Sequence, residues 1–102
     1  QQALFFNQLK SVLAGTISFI ELSSHWEKHD RSELLDWQLH WLQQLIKYEA
    51  GDRQANEALE LLSYLQSKSC WVIYDRLLEL KALSTHPLNG RLFIENMLSS
   101  WL

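Results

Sequence analysis

Breakers are scarce in this chain, and that constrains its fold more than any other feature. Only Gly15, Gly51, Gly90 and Pro87 interrupt 102 residues. Glycine inside a helix is entropically costly and proline breaks one, so long stretches free of both can stay helical. No stretch alternates apolar and polar residues for long enough to form a half-buried strand. The chain therefore reads as an all-α domain, a single bundle of about six helices.

Caps and apolar spacing place the helices. The first is expected over residues 2–14, with Leu4 or Phe5, Leu9, Val12 and Leu13 on one stripe, and Gly15 ends it. Ser18 with Glu21 three residues on forms a capping box for the second helix, with Ile17 and Leu22 as its staple. Phe19, Leu22 and Trp26 face inward, and the helix ends near His29. Asp30, with Glu33, caps the third helix, which runs to about Ala50. Leu34, Trp37 or Gln38, Trp41 and Leu45 form one apolar row there; Leu35, Leu39, Leu42 and Ile46 form another. Two rows mean a wide buried face, which puts this helix at the centre of the domain.

Residues 52–55 form a polar connector. A fourth helix is expected over 56–66, carrying Leu59, Leu62 and Leu65 with Ala58 and Leu61 beside them, and a break at 67–69. Ser69 caps a fifth helix over 70–83, where Cys70, Ile73, Leu77 and Leu80 face the core and Trp71 and Tyr74 widen the face. Pro87 and Asn89 signal the start of a sixth helix, from Gly90 to the chain end. It carries Leu92, Phe93, Met97, Leu98 and Trp101.

Composition bounds the function. A single domain of this size buries about 60–70% of its unfolded surface, so it needs no staples. The net charge is −3, and the basic residues are scattered singly. That argues against duplex DNA as a ligand, because Lys and Arg neutralisation of phosphates drives such binding. Cys70, the single cysteine, excludes an internal disulfide and a Cys-rich zinc site, and fits a reducing cytoplasmic home. No apolar run reaches the roughly 18 residues of a membrane span. No signal-peptide pattern is visible. Met97 is the only methionine, so the chain is read as a processed product or an excised fragment of a longer protein.

No constellation builds a chemical site. His25 and His29 are i, i+4, with Glu21 one turn earlier, but a zincin helix needs Glu directly after the first His. Trp26 stands there instead, and the segment reads as a solvated helix end. Asp36 and His40 share a helical face, where such a pair is a modest helix contact. Cys70 sits at a helix start, which lowers a thiol's pKa, yet its place on the apolar stripe makes it a buried small hydrophobe. Arg91 lies unfavourably in the first turn of its helix, and either meets an outside carboxylate or points to solvent. Trp37 and Trp41 are i, i+4 within a row of the third helix, so core packing is the default for the Trp set; Trp101, near the chain end, is the one most expected to be exposed or to meet a partner. No catalytic residue, cofactor site or metal site is assigned. A helix-turn-helix is conceivable at 67–69, but the following helix offers few base-reading side chains.

Three segments carry a resemblance. They are Phe6-Asn-Gln-Leu-Lys-Ser-Val-Leu-Ala-Gly, Phe19-Ile-Glu-Leu-Ser-Ser-His-Trp, and Leu34-Leu-Asp-Trp-Gln-Leu-His-Trp-Leu-Gln-Gln-Leu-Ile-Lys-Tyr. Leu88-Asn-Gly-Arg-Leu-Phe-Ile-Glu-Asn-Met-Leu continues it. In apolar and capping pattern the chain resembles the C-terminal collar domain of the bacterial DNA polymerase III delta-prime subunit. The likeness covers nearly all the chain and keeps helix order; it involves no chemical signature.

The resemblance implies a bacterial, cytoplasmic role in DNA replication. Clamp-loader collar domains hold a ring of five subunits together while nucleotide-binding modules load the sliding clamp. The delta-prime-like subunit acts as a stator and does not hydrolyse ATP. Implied partners are the C-terminal domains of the gamma/tau and delta subunits, with no membrane and no direct nucleic-acid contact. The absence of a Walker sequence, zinc cysteines and a Ser-Arg-Cys motif fits a collar domain alone.

The expectation is thus a non-enzymatic association domain. It buries surplus apolar helix surface against neighbours, with rim charges setting partner choice. Candidate contact residues are Trp71, Tyr74, Arg91, Phe93 and Trp101. A helical nucleic-acid-binding module is one rival and predicts a contiguous basic surface. A small ligand-binding or enzymatic bundle is another, and predicts a pocket uniting His40, Asp36 or Cys70.

Overall fold

A computed structural model describes residues 1–65, 68–84 and 89–102. Among these residues the fold is six α-helices and no strand: α1 (Gln2–Leu13), α2 (Phe19–Trp26), α3 (Arg31–Glu49), α4 (Leu62–Leu65), α5 (Cys70–Ala82) and α6 (Gly90–Ser99). The expected end of the fourth helix at Gln66, the first residue of the break at 67–69, and the start signal at Pro87 lie outside the described residues.

The expected caps close the helix starts. Ser18 Oγ accepts the Glu21 N–H at 3.0 Å and Asp30 Oδ1 accepts the Ser32 N–H at 2.9 Å. Ser69 Oγ accepts the Trp71 N–H at 3.2 Å and Asn89 Oδ1 accepts the Leu92 N–H at 3.0 Å. Each satisfies a donor that the first helical turn leaves open and contributes about 1 kcal/mol. Glu33 does not complete a box with Asp30; its carboxylate meets His29 Nε2 at 2.7 Å.

Two helix ends share one geometry. Gly15 and Gly51 adopt φ of +81° and +119°. After α1, Thr16 N–H reaches Ser11 O and Gly15 N–H reaches Val12 O; after α3, Asp52 N–H reaches Lys47 O and Gly51 N–H reaches Tyr48 O. These paired bonds form the Schellman closure, which needs a left-handed residue at that point.

The fourth helix differs from expectation. Residues Glu57–Leu61 form a 3-10 turn, and among the described residues the α-helical part is Leu62–Leu65. Asn56 Oδ1 caps the turn by accepting the Ala58 N–H at 2.9 Å. A 3-10 turn rotates each residue further than an α turn. Ala58, Leu61 and Leu65 consequently point inward, while Leu59 and Leu62 are only partly buried.

α3 lies at the centre, packed on α5 and on the 3-10 turn, while α2 packs against α6. Its buried side chains are Leu34, Leu35, Gln38, Leu39, Trp41, Leu42 and Leu45. α5 runs antiparallel to α3. Lys81 near its end pairs with Asp36 at 2.8 Å, and Tyr74 Oη accepts from Gln43 Nε2 at 3.0 Å. Phe5 rather than Leu4 turns inward, stacking on Trp26 and Trp37. Burial of each such large side chain contributes about 1.5–3 kcal/mol.

α6 corrects the reading of the chain end. Phe93 and Trp101 are 1% and 2% exposed, so both are core residues rather than partner contacts. Trp101 Nε1 donates to Gln38 Oε1 at 2.7 Å. A buried indole N–H needs such an acceptor. Arg31 covers the Phe93 ring, its guanidinium carbon 4.6 Å from the centroid.

Candidate association surface

α5 turns its second face to solvent. Cys70, Ile73 and Leu77 point inward. Trp71 (59% exposed) and Leu78 (41%) point outward. Residues three, four and seven apart share a helical face, so Trp71, Tyr74, Leu78 and Ala82 form one stripe. Trp71 and Tyr74 meet edge to face, with ring centroids 6.1 Å apart. Large exposed apolar side chains arranged in a row, rather than singly, are what a contact surface requires.

Polar groups of α3 edge this stripe. Asp36, His40, Gln43 and Lys47 lie at i, i+4, i+7 and i+11 on its exposed side. Because the helices are antiparallel, Asp36 meets Lys81 and Gln43 meets Tyr74. The face therefore has an aromatic and aliphatic centre with a polar rim, the composition of an association surface.

The candidate contact residues divide. Trp71 and Tyr74 lie together on this face. Arg91 lies elsewhere, at the start of α6, where its Nη2 donates to Ile20 O at 3.3 Å and its Nε sits 3.3 Å from Glu95 Oε2. A carboxylate partner thus stands one turn along the same helix. Phe93 and Trp101 hold α6 against the core. Leu78 joins the stripe and Leu92 (53% exposed) stands outward on α6, and neither was among the residues chosen from sequence. Its spacing, i+7 from Trp71 and i+4 from Tyr74, points to Leu78.

Other chemical candidates take structural roles. His29 bonds Glu33 and stacks between Phe5 and Trp37, with centroids at 4.7 and 5.4 Å. His25 is exposed. Among the described residues no group of three His, Cys, Asp or Glu is placed to hold a metal ion. Asp36 pairs with Lys81 rather than His40. Cys70 is buried, and its thiol is pushed up to about 12, first by burial and then by the neighbouring Glu49 carboxylate. Burial outweighs the helix-start effect here. Cys70 packs by Glu49 at the far end of α3, about 20 Å along the helix from Asp36. The pocket uniting Asp36 or His40 with Cys70 is therefore not formed.

Comparison with protein-family models, with curated proteins and with solved structures finds no match. Among the described residues no helix is long and apolar enough to cross a membrane.

Proposed function

We propose that this chain is a subunit-association domain of the clamp-loader collar type, the delta-prime role its sequence pattern resembles. It carries no catalytic step. It holds neighbouring helical domains, the gamma/tau and delta C-terminal domains, so that a clamp loader can act on the sliding clamp in a bacterial cytoplasm. The observation that carries the reading is the Trp71–Tyr74–Leu78 row on α5, in which Trp71 and Leu78 are exposed and Tyr74 is half-buried between them. Removing such a row from water drives association, and Trp and Tyr are enriched where binding energy concentrates.

Charge pairing bears on the nucleic-acid alternative. Lys10 pairs with Glu60, Lys81 with Asp36 and Arg91 with Glu95. Cations already neutralised in this way release fewer counterions on meeting phosphate.

The test is co-purification of the folded domain with the C-terminal domains of gamma/tau and delta. Capture of the native chain, lost in Trp71→Glu at unchanged helicity, supports the proposal. A folded native chain that captures neither partner overturns it.

A further inference from the structure

We propose that α5 also carries a self-recognition stripe, distinct from the Trp71 row, by which two copies of this chain pair antiparallel. Val72, Arg76, Glu79 and Leu83 recur at i, i+4, i+7 and i+11, so they share one face, about 100° around the helix from Trp71. All four are exposed, and among the described residues neither Arg76 nor Glu79 has an ion-pair or hydrogen-bond partner.

The order of these residues is what selects the occupant. Along the helix they run apolar, cationic, anionic, apolar. One two-fold axis passing between residues 77 and 78 brings Val72 onto Leu83 of a second copy and Arg76 onto Glu79 of that copy. The same rotation forms each contact twice, the self-complementarity that a two-fold interface demands. Shifting the axis by one position along the helix in either direction no longer sets Arg76 opposite Glu79. Opposite charges facing one another also fix orientation, because like charges in register are penalised.

A groove beside the stripe admits side chains of the second helix. A groove of about 290 Å³ runs between α5 and α6, lined by Arg76, Glu79, Leu83, Asn96, Ser99 and Ser100. The serines keep the α6 side of the groove low. A single helix pair covers less than the standard interface of roughly 1,200–2,000 Å², so the dimer is weak and concentration-dependent. It needs no other protein, and its fate is independent of whether the collar proposal holds.

The test is sedimentation equilibrium of the native chain, Arg76→Glu, Glu79→Arg and the double variant Arg76→Glu/Glu79→Arg, with helicity checked for each. The native chain shows a monomer–dimer equilibrium. Each single reversal places like charges opposite one another and weakens it by about tenfold or more. The double variant restores pairing, and mixing the two single variants restores it as well, since each then offers what the other lacks. A native chain that stays monomeric at every concentration overturns the proposal. So does a dimer whose strength ignores both reversals.

Discussion

The indole N–H of Trp101 and the side-chain carbonyl of Gln38 lie 2.7 Å apart in the core, joining residues 63 positions apart in sequence. Gln38 in turn donates its amide to Leu34 O at 3.0 Å, so both ends of this buried polar side chain are satisfied. Gln38→Leu strands the indole donor and is expected to cost about 1–3 kcal/mol. Trp101→Phe in the Gln38→Leu background then costs less than in the native chain, because no acceptor remains to be orphaned. Urea denaturation of the four proteins checks this; strictly additive losses refute the coupling.

Cys70 sets an alkaline limit. Burial and Glu49 raise its thiol from the ordinary 9.0 to about 12 in the folded chain. Between those values the unfolded chain releases the proton and the folded chain keeps it. Stability from this group is therefore complete below pH 9 and falls as pH rises toward 12. Native-state alkylation should stay slow at pH 9, where an exposed thiol reacts readily. Rapid modification of folded protein at that pH contradicts the burial. Glu49→Gln removes one of the causes and should move the alkylation profile to lower pH.

Trp71 and Leu42 should behave oppositely on truncation. Trp71 is 59% exposed and Leu42 is fully buried. Leu42→Ala leaves a cavity between α3 and its neighbours and is expected to cost about 2–5 kcal/mol. Trp71→Ala should change stability by less than about 1 kcal/mol. Iodide quenching gives a separate reading: the most accessible part of the tryptophan fluorescence disappears in Trp71→Phe. An unchanged quenching curve would place Trp71 elsewhere.

Caps should outweigh the surface ion pair. Ser69→Ala removes the acceptor of the Trp71 N–H and is expected to cost about 1 kcal/mol. Asp36→Asn breaks the exposed Lys81 pair and should cost less than about 0.5 kcal/mol, less still at high salt. Thermal melts at low and high salt distinguish the two, and a reversed order would show that the α3–α5 pair contributes more than its exposure implies.

Helix positions were legible because they are written locally. Ser18, Asp30, Ser69 and Asn89 each act within their own first turn, and Gly15 and Gly51 act at single φ angles. The inward row of the fourth segment was legible only in part: its apolar residues were readable, but not which of them face the core. Asn56 starts a 3-10 turn there, and the tighter winding moves Ala58 and Leu61 to the core in place of Leu59 and Leu62. Sequence left Trp37 and Gln38 as alternatives in one α3 row. The buried residue is Gln38, the polar one, because Trp101 arrives from the far end of the chain to bond it. That pairing is non-local, as is the burial of Trp101 itself. Trp71 and Tyr74 were readable as wideners of α5, since no core-facing position was left for them on that helix.

The packing of α6 has a consequence for synthesis. Phe93, Ile94, Met97, Leu98 and Trp101 all seal the interior. A nascent chain emerging from the ribosome exposes α1, α2 and α3 first, with their oily faces still open. Closure requires the indole at position 101, and until it docks the open faces are surface on which association competes with folding.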